Sequence, residues 1–340
     1  MTVNRRKFLF LYPIISVVII LSLFFELFLD SDTSAVYAST DANGGTLNLL
    51  IAGLDDAAEN TDVLMLVSLH ENGEVNALQI PRDTYVKSVE SKGKINHLYP
   101  LCIRKYGKKE GAEAFSKEIS RLLGVPIDRY VVFNGSDFEE LVDAFGGVTL
   151  SVPYSFSYPD KNGSVRIVPS GEQRLNGEDA LAFVRYRSAY AEGDLGRLDA
   201  QMRFLASLAN EVIACKDPVS YFRIYQKNYR KLLTNLGEKD IISIMRAYFG
   251  KRCKLNVRFM RLPGEACRGS DGAWYYALNR AGAAQMLSDS FLGAPPLHFD
   301  VQKAFLREGE QSFLNIYEAK SFEKLIYTLD EARRARVLHK

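Results

Sequence analysis

The chain has 340 residues, 43 Lys and Arg against 41 Asp and Glu, a net charge of +2, and is 47% hydrophobic and 25% charged. This is ordinary globular composition, long enough for one large domain or two small ones. So small a net charge excludes a chain-wide pull toward nucleic acid, so any anion site must be local.

Phe8 to Phe25 carries no charge, and Arg5, Arg6 and Lys7 precede it. A run of about 18 uncharged apolar residues is long enough to span a bilayer. The basic flank puts the N-terminus in the cytoplasm and the rest outside. A cleaved signal peptide is the alternative, but its apolar core is usually only ~7–15 residues. The expected organisation is therefore a cytoplasmic stub (1–7), a transmembrane anchor (8–29), a polar tether (30–46), an extracellular domain (47–298) and a helical C-terminal extension (299–340).

Three apolar runs follow the tether: Leu47–Leu54, Val63–Leu69 and Val75–Ile80. Their length and β-branched content predict buried strands. Asn72-Gly73 predicts a tight turn. The short links favour antiparallel neighbours, because a parallel crossover needs a dozen or more residues. An up-down-up meander then brings Asp55, Asp62 and Arg82 to one sheet edge. Two carboxylates with an arginine suit a Mg²⁺–phosphate site, since Mg²⁺ is a hard cation shared with substrate phosphates. They equally suit loop residues capping strand ends.

Further along, 93–99 reads as a loop holding His97, a residue expected to be structural. Glu110–Leu123 has helical periodicity and Gly124 stops it. Tyr130–Phe133 predicts a strand. Ser136-Asp137-Phe138-Glu139 matches a capping box, and Gly146-Gly147 ends that helix before a strand at Val148–Val152. Strand, helix, strand predicts a parallel α/β unit beside the meander. Pro159–Ser164 is turn-rich, Val165–Val168 strand-like, and Asn176 can cap a helix.

Phe183-Val184-Arg185-Tyr186-Arg187 precedes Asp194-Leu195-Gly196-Arg197 and Gln201. Arg185 and Arg187 share a face only if extended. Paired guanidinium forks match phosphate oxygens. Arg197 and Gln201 lie one turn apart on a helix running to about Cys215. A solvated face salt-bridged to Glu192, Asp194 and Asp199 is the alternative. Helices are expected at 220–233, 240–249 and Asn279–Leu292, and a strand at Leu255–Leu262. Trp274-Tyr275-Tyr276 reads as core. The basic stretch from Tyr317 to Lys340 reads as a peripheral helix. Cys102, Cys215, Cys253 and Cys267 have no zinc spacing; Cys253 and Cys267 could pair. No P-loop, nucleophile elbow or His-Glu-x-x-His occurs.

Taken in order, these stretches resemble the LytR-CpsA-Psr family. The matching pieces are Ala52-Gly53-Leu54-Asp55, Thr61-Asp62-Val63-Leu64, Ile80-Pro81-Arg82-Asp83-Thr84, Lys94-Ile95-Asn96-His97, Asp143-Ala144-Phe145-Gly146-Gly147-Val148, Leu175-Asn176-Gly177-Glu178-Asp179-Ala180-Leu181, and the arginine stretches above. The resemblance implies an outward-facing, membrane-anchored three-layer α/β/α domain with a central mixed sheet. It implies transfer of a glycopolymer, such as teichoic acid or capsular polysaccharide, from undecaprenyl pyrophosphate to a peptidoglycan hydroxyl. It places Mg²⁺ (or Mn²⁺) at Asp55 and Asp62, and the pyrophosphate at Arg82, Arg185, Arg187, Arg197 and Gln201. Asp62, Arg82, Arg185 and Arg187 are the expected catalytic residues. Asp62 or Asp194 could take the hydroxyl proton. The family often has arginine where this chain has Asn60, and again where it has Asp56. A polyprenyl-pyrophosphate hydrolase and a non-catalytic envelope regulator are the rival functions.

Overall fold

The computed structural model describes residues 46–213 (without 56, 58, 71, 88–91, 189 and 192), 232–237, 240, 256–291 (without 270) and 326–334. The expected anchor and tether up to residue 45, the helices at 220–233 and 240–249 except their ends, Cys215 and Cys253 lie outside the described residues. No helix among the described residues is long and apolar enough to cross a membrane.

The meander forms as its pattern predicts. Strands β1 (Thr46–Leu54), β2 (Thr61–His70) and β3 (Glu74–Gln79) pair antiparallel in sequence. Gly73 takes a positive φ of 88° in the turn between β2 and β3, and the Asn72 side chain accepts from the Glu74 N–H. In chain order there follow a hairpin of β4 (Tyr85–Lys87) and β5 (Lys92–Lys94), helices α1 (Leu98–Tyr106) and α2 (Lys108–Leu123), strand β6 (Arg129–Phe133), helix α3 (Gly135–Ala144) and strand β7 (Val148–Val152). Next come β8 (Phe156–Pro159), β9 (Val165–Val168), β10 (Gly171–Leu175), α4 (Gly177–Arg185) and α5 (Asp194–Ile213). The remainder comprises β11 (Leu233–Thr234), β12 (Asn256–Arg261), the hairpin of β13 (Gly264–Arg268) and β14 (Trp274–Leu278), α6 (Arg280–Ser290), β15 (Ile326–Thr328) and α7 (Leu329–Arg333).

Seven strands make one mixed sheet in the order β11-β6-β1-β2-β3-β12-β15. β6 is parallel to β1 and β12 is parallel to β3. Alternation along each strand feeds two separate cores. Leu49, Ile51, Met65, Val67 and Val131 join a core with Phe138, Phe183 and Phe204 from α3, α4 and α5. Leu50, Ala52, Leu64, Leu66 and Val132 face the other way, onto Cys102, Phe115, Ile119 and Met286 from α1, α2 and α6. Each fully buried aliphatic or aromatic side chain adds roughly 1.5–3 kcal/mol. The mixed sheet between two helical layers agrees with the expected architecture.

Several expectations are corrected. β7 does not join β6 as a parallel pair; it pairs antiparallel with β10 in a separate two-stranded sheet. The α3 capping box begins at Asn134, whose side chain accepts from the Asp137 N–H while Asp137 accepts from the Asn134 N–H. The segment around His97 is not a plain loop: a 3-10 turn at Ile95–His97 runs into α1. Within the C-terminal stretch expected to be helical, the described residues form a strand at Ile326–Thr328, closing one sheet edge, and a helix at Leu329–Arg333. Trp274 is 61% exposed, while Tyr276 is buried as expected. Cys267 is a buried thiol, not half of a disulfide with Cys253, and burial pushes it up to about 11. Cys102 is also a buried thiol.

Candidate functional site

The carboxyl ends of β1, β3, β6 and β12 lie on one edge of the sheet, together with the start of β2. In open α/β sheets ligands bind outside such ends. Two local features turn this edge into a site. First, the β1–β2 register slips between Gly53, opposite Val63, and Leu54, opposite Thr61, leaving Asp62 as the extra residue of a β-bulge. A bulge re-aims one side chain out of strict alternation. Asp62 consequently lines the same cavity as Val63 and Met65. Second, Arg82 follows β3 in a turn closed by the Thr84 N–H donating to the Pro81 carbonyl at 3.0 Å.

Four charged groups meet there. Arg82 donates from Nη1 to Asp62, and its Nη2 stands 3.3 Å from Asp194. Arg197 stands 2.9 Å from Asp194 and 3.9 Å from Asp62. Carboxylates and guanidinium groups thus alternate around a ring. Asp194 is the first residue of α5 and Arg197 lies one turn on, which explains their pairing. Arg197 is only 3% exposed, and burial pulls it below the ordinary guanidinium range despite Asp194. Arg82 is shifted up: burial opposes its charge, but Asp194 and Asp62 outweigh it.

The ring does not consume its donors. Arg82 Nε, Arg197 Nε and Arg197 Nη2 are buried and make no hydrogen bond. The Arg197 Nη2–Asp194 contact is within ion-pair distance but off the hydrogen-bonding direction. A buried polar group without a partner costs about 1–3 kcal/mol. Three such donors on two guanidinium groups suit an anionic ligand, while the equally unpartnered Asp194 Oδ1 is an acceptor left for a proton or a cation.

Asp55 sits across the loop. Its carboxylate accepts from the Glu59 N–H at 2.9 Å and from Asn60 Nδ2 at 3.0 Å. Burial works against its charge, yet these bonds together hold it below the usual carboxylate range. Asn60, standing where the resemblance expects arginine, is therefore a carboxylate clamp. Asp56 lies outside the described residues.

Beside the ring is an apolar cavity of about 60 Å³ between the sheet and α3, α4 and α5. Phe133, Phe138, Leu181, Phe204 and Leu205 line it, with Arg185, Arg197 and Gln201 at its polar end. Gly53 belongs to its floor: a Cβ there would sit 2.6 Å from the Phe133 ring. Arg185, the last residue of α4, also lines an open polar groove of about 500 Å³ with Arg187, Tyr186, Glu139 and Lys161. Tyr186 is extended, so the chain leaves the helix between the two arginines. Arg187 is exposed in that groove, close enough for its charge to act on Arg197 of the ring. Gln201 is buried and its amide nitrogen donates to the Val184 carbonyl at 3.0 Å, tying α5 to α4.

The structure thus gathers Asp62, Arg82, Asp194 and Arg197 in contact, puts Arg185 and Gln201 on the cavity wall, and places Arg187 in the adjoining groove with Arg185, its charge acting on Arg197. Sequence reasoning missed the cavity lining. Its signal was Gly53, a glycine inside a strand, which marks a bulge or a close approach. Among the described residues no group of three or more His, Cys, Asp or Glu could hold a metal ion alone.

The sequence matches the LytR_cpsA_psr family profile over residues 29–290. The chain belongs to this family. Among its relatives is a polyisoprenyl-teichoic acid–peptidoglycan teichoic acid transferase, TagU of Bacillus mycoides, 29% identical over 254 residues, covering 73% of this chain and 78% of that one. The TagV transferase of Bacillus subtilis is 32% identical over 215 residues, covering 60% of this chain and 53% of that one. The crystal structure of Bacillus subtilis TagV superposes with a TM-score of 0.60 at 26% identity, covering 72% of this chain and 96% of that one. For this member of the LytR_cpsA_psr family the shared region contains the whole ring and the cavity.

Proposed function

We propose that the protein is a phosphotransferase that moves a glycopolymer from a polyprenyl-pyrophosphate carrier to a sugar hydroxyl of peptidoglycan. The observation that carries this is the juxtaposition of unspent, buried guanidinium donors on Arg82 and Arg197 with an apolar cavity. A ligand completing both must be anionic at one end and hydrocarbon at the other. The related TagU and TagV enzymes are named for a polyisoprenyl-linked polymer and peptidoglycan, which supplies the chemical class.

In this reading the polyprenyl tail enters between α3, α4 and α5. The pyrophosphate lies against Arg82, Arg197 and Arg185. Phosphoryl transfer depends on positioning and charge neutralisation more than on covalent help. The acceptor hydroxyl oxygen forms a bond to the phosphorus that carries the glycan. The bridging P–O bond breaks, and polyprenyl phosphate leaves with the electron pair. The hydroxyl proton passes to a carboxylate of the ring, Asp62 or Asp194. Arg82 and Arg197 stabilise the charge that grows on the leaving phosphate. Each guanidinium is held by a carboxylate, so its position is fixed before substrate arrives.

A divalent cation fits the donor set in one way. Asp55 and Asp62 offer hard carboxylate oxygens, and Mg²⁺ commonly takes one or two carboxylates with phosphate oxygens and water completing its shell. Asp55 is held ionised by Asn60, as a ligand must be. Mg²⁺ bound there would neutralise pyrophosphate charge. We assign the uncharged run at 8–25 the role of membrane anchor, with the domain outside.

The test is mass spectrometry on protein extracted from membranes, followed by transfer assays on purified donor. A co-purified polyprenyl phosphate or pyrophosphate is expected in the wild type and absent in Arg197→Ala. Transfer to a peptidoglycan fragment is expected to exceed release to water. No bound lipid in a folded protein, or hydrolysis regardless of acceptor, would overturn the reading.

A further inference from the structure

The cavity for the carrier lies on the α3–α4–α5 face of the sheet. Displacement at phosphorus is in line, so the incoming hydroxyl approaches from the side opposite the leaving group. The leaving polyprenyl phosphate is held toward the cavity, so the acceptor must come from the other face, where the Arg82 turn runs directly into β4. What stands against that turn is β14. The Tyr276 N–H donates to the Asp83 carbonyl at 2.8 Å, and Thr84 and Tyr276 form a parallel bridge. Below that bridge the inward face of β14 is buried at Tyr276 and Leu278. Two residues before it, the same face emerges as Trp274, 61% exposed and the only tryptophan of the chain.

The surroundings of this indole are polar and fixed. Arg268 is its cross-strand partner, and the Arg268 Nε donates to the Gly272 carbonyl at 3.0 Å. On the opposite face of β14, Tyr275 fixes the strand: it donates to Asp271 at 2.6 Å and packs edge-to-face on Tyr85 at 5.5 Å. Lys94 lies 5.7 Å over the Tyr275 ring and 2.8 Å from Asp83. An exposed indole with an arginine as cross-strand neighbour, on a strand whose backbone is hydrogen-bonded to the Arg82 turn, is suited to a pyranose: its apolar face stacks on the ring while the sugar hydroxyls meet the guanidinium.

We propose that Trp274 is the stacking platform for the acceptor glycan strand, with Arg268 as its polar neighbour. The proposal rests on the transferase reading and adds where the second substrate sits.

The single tryptophan makes the test direct. Full-length protein in mild detergent is titrated with a β-1,4-linked N-acetylglucosamine tetramer while the indole emission is followed. A saturable blue shift is expected; an unmoved spectrum up to millimolar sugar overturns the proposal. Transfer kinetics then separate the roles. In Trp274→Ala the acceptor KM is expected to rise about tenfold, with kcat and donor KM within about twofold, and Trp274→Phe should recover most of the loss. An unaltered acceptor KM in Trp274→Ala, with transfer still running, overturns the platform and leaves the transferase reading intact. A wild type that only hydrolyses the donor overturns that reading and, with it, the acceptor role.

Discussion

The β1–β2–β3 meander has two ends, and they are built on different principles. At the end away from the site, Thr46, His70, Asn76 and Arg258 close on one another. Asn76 Nδ2 donates to the Ser290 carbonyl at 2.7 Å and lies 3.2 Å from His70 Nε2, whose Nδ1 meets Thr46 Oγ1 at 3.1 Å. Arg258 donates to Asn76 Oδ1 at 2.9 Å. At the site end, half-buried Arg82 and buried Arg197 keep buried donor atoms unspent. Both ends belong to the same three strands and the same cores. At the far end the polar atoms left without partners are the neutral ones of Asn48 and Ser68, whereas at the site end they belong to guanidinium groups, which cost more to leave unpaired, so the site end gives up stability that an anionic ligand would return.

Removing the arginines should break the contrast most sharply. Arg82→Ala or Arg197→Ala is expected to lower transfer roughly 10²–10³-fold, the usual loss on deleting a transition-state anion donor. Far-UV circular dichroism should keep its wild-type shape, and retained transfer would contradict the site. At the far end, Asn76→Ala strands a carbonyl and a guanidinium and should cost about 2 kcal/mol in urea unfolding, with kcat within about twofold. Combining Asp194→Asn with Arg197→Met sharpens the comparison further. Replacing a buried ion pair with neutral groups is often stabilising, so this variant should gain about 1 kcal/mol while losing transfer. The smallest effect is pH dependence at His70. Burial holds its folded pKa below the ordinary 6.5, although Glu74 pulls the other way. The unfolded chain therefore binds the proton more readily, so stability is full above about pH 6.5 and declines as pH falls toward the folded value. His70→Gln should flatten that decline in melts between pH 8 and 5.

Much of this was legible in the sequence because it is local. The three strands, the Asn176 cap and the ends of α2 and α3 follow from alternation, capping residues and glycines. The residues of the ring were identifiable through the family resemblance; as residue types alone, carboxylates and arginines at strand and helix ends also suit capping and a solvated, salt-bridged face. What escaped depends on tertiary context. Helix α1 was hidden by Pro100, which sits in its first turn, where no backbone donor is needed. The strands β8 and β10 are short, polar and largely exposed, so they lack apolar alternation. The bulge at Asp62 is a matter of register between two strands, invisible in either alone. The engagement of Gln201 with Val184 depends on how α5 packs on α4.

The alternation of charge in the ring bears on competition. Free phosphate and other small anions vastly outnumber any lipid-linked donor around a cell. Two bare arginines would be occupied by them almost continuously. Here every anion must first compete with Asp62 and Asp194 for the same guanidinium groups. A small ion has only its charge with which to win that exchange. A ligand that also brings hydrocarbon to the cavity beside the ring has a second source of binding free energy. The carboxylates that look like an obstacle to the substrate thus act as a filter, admitting anions by what is attached to them.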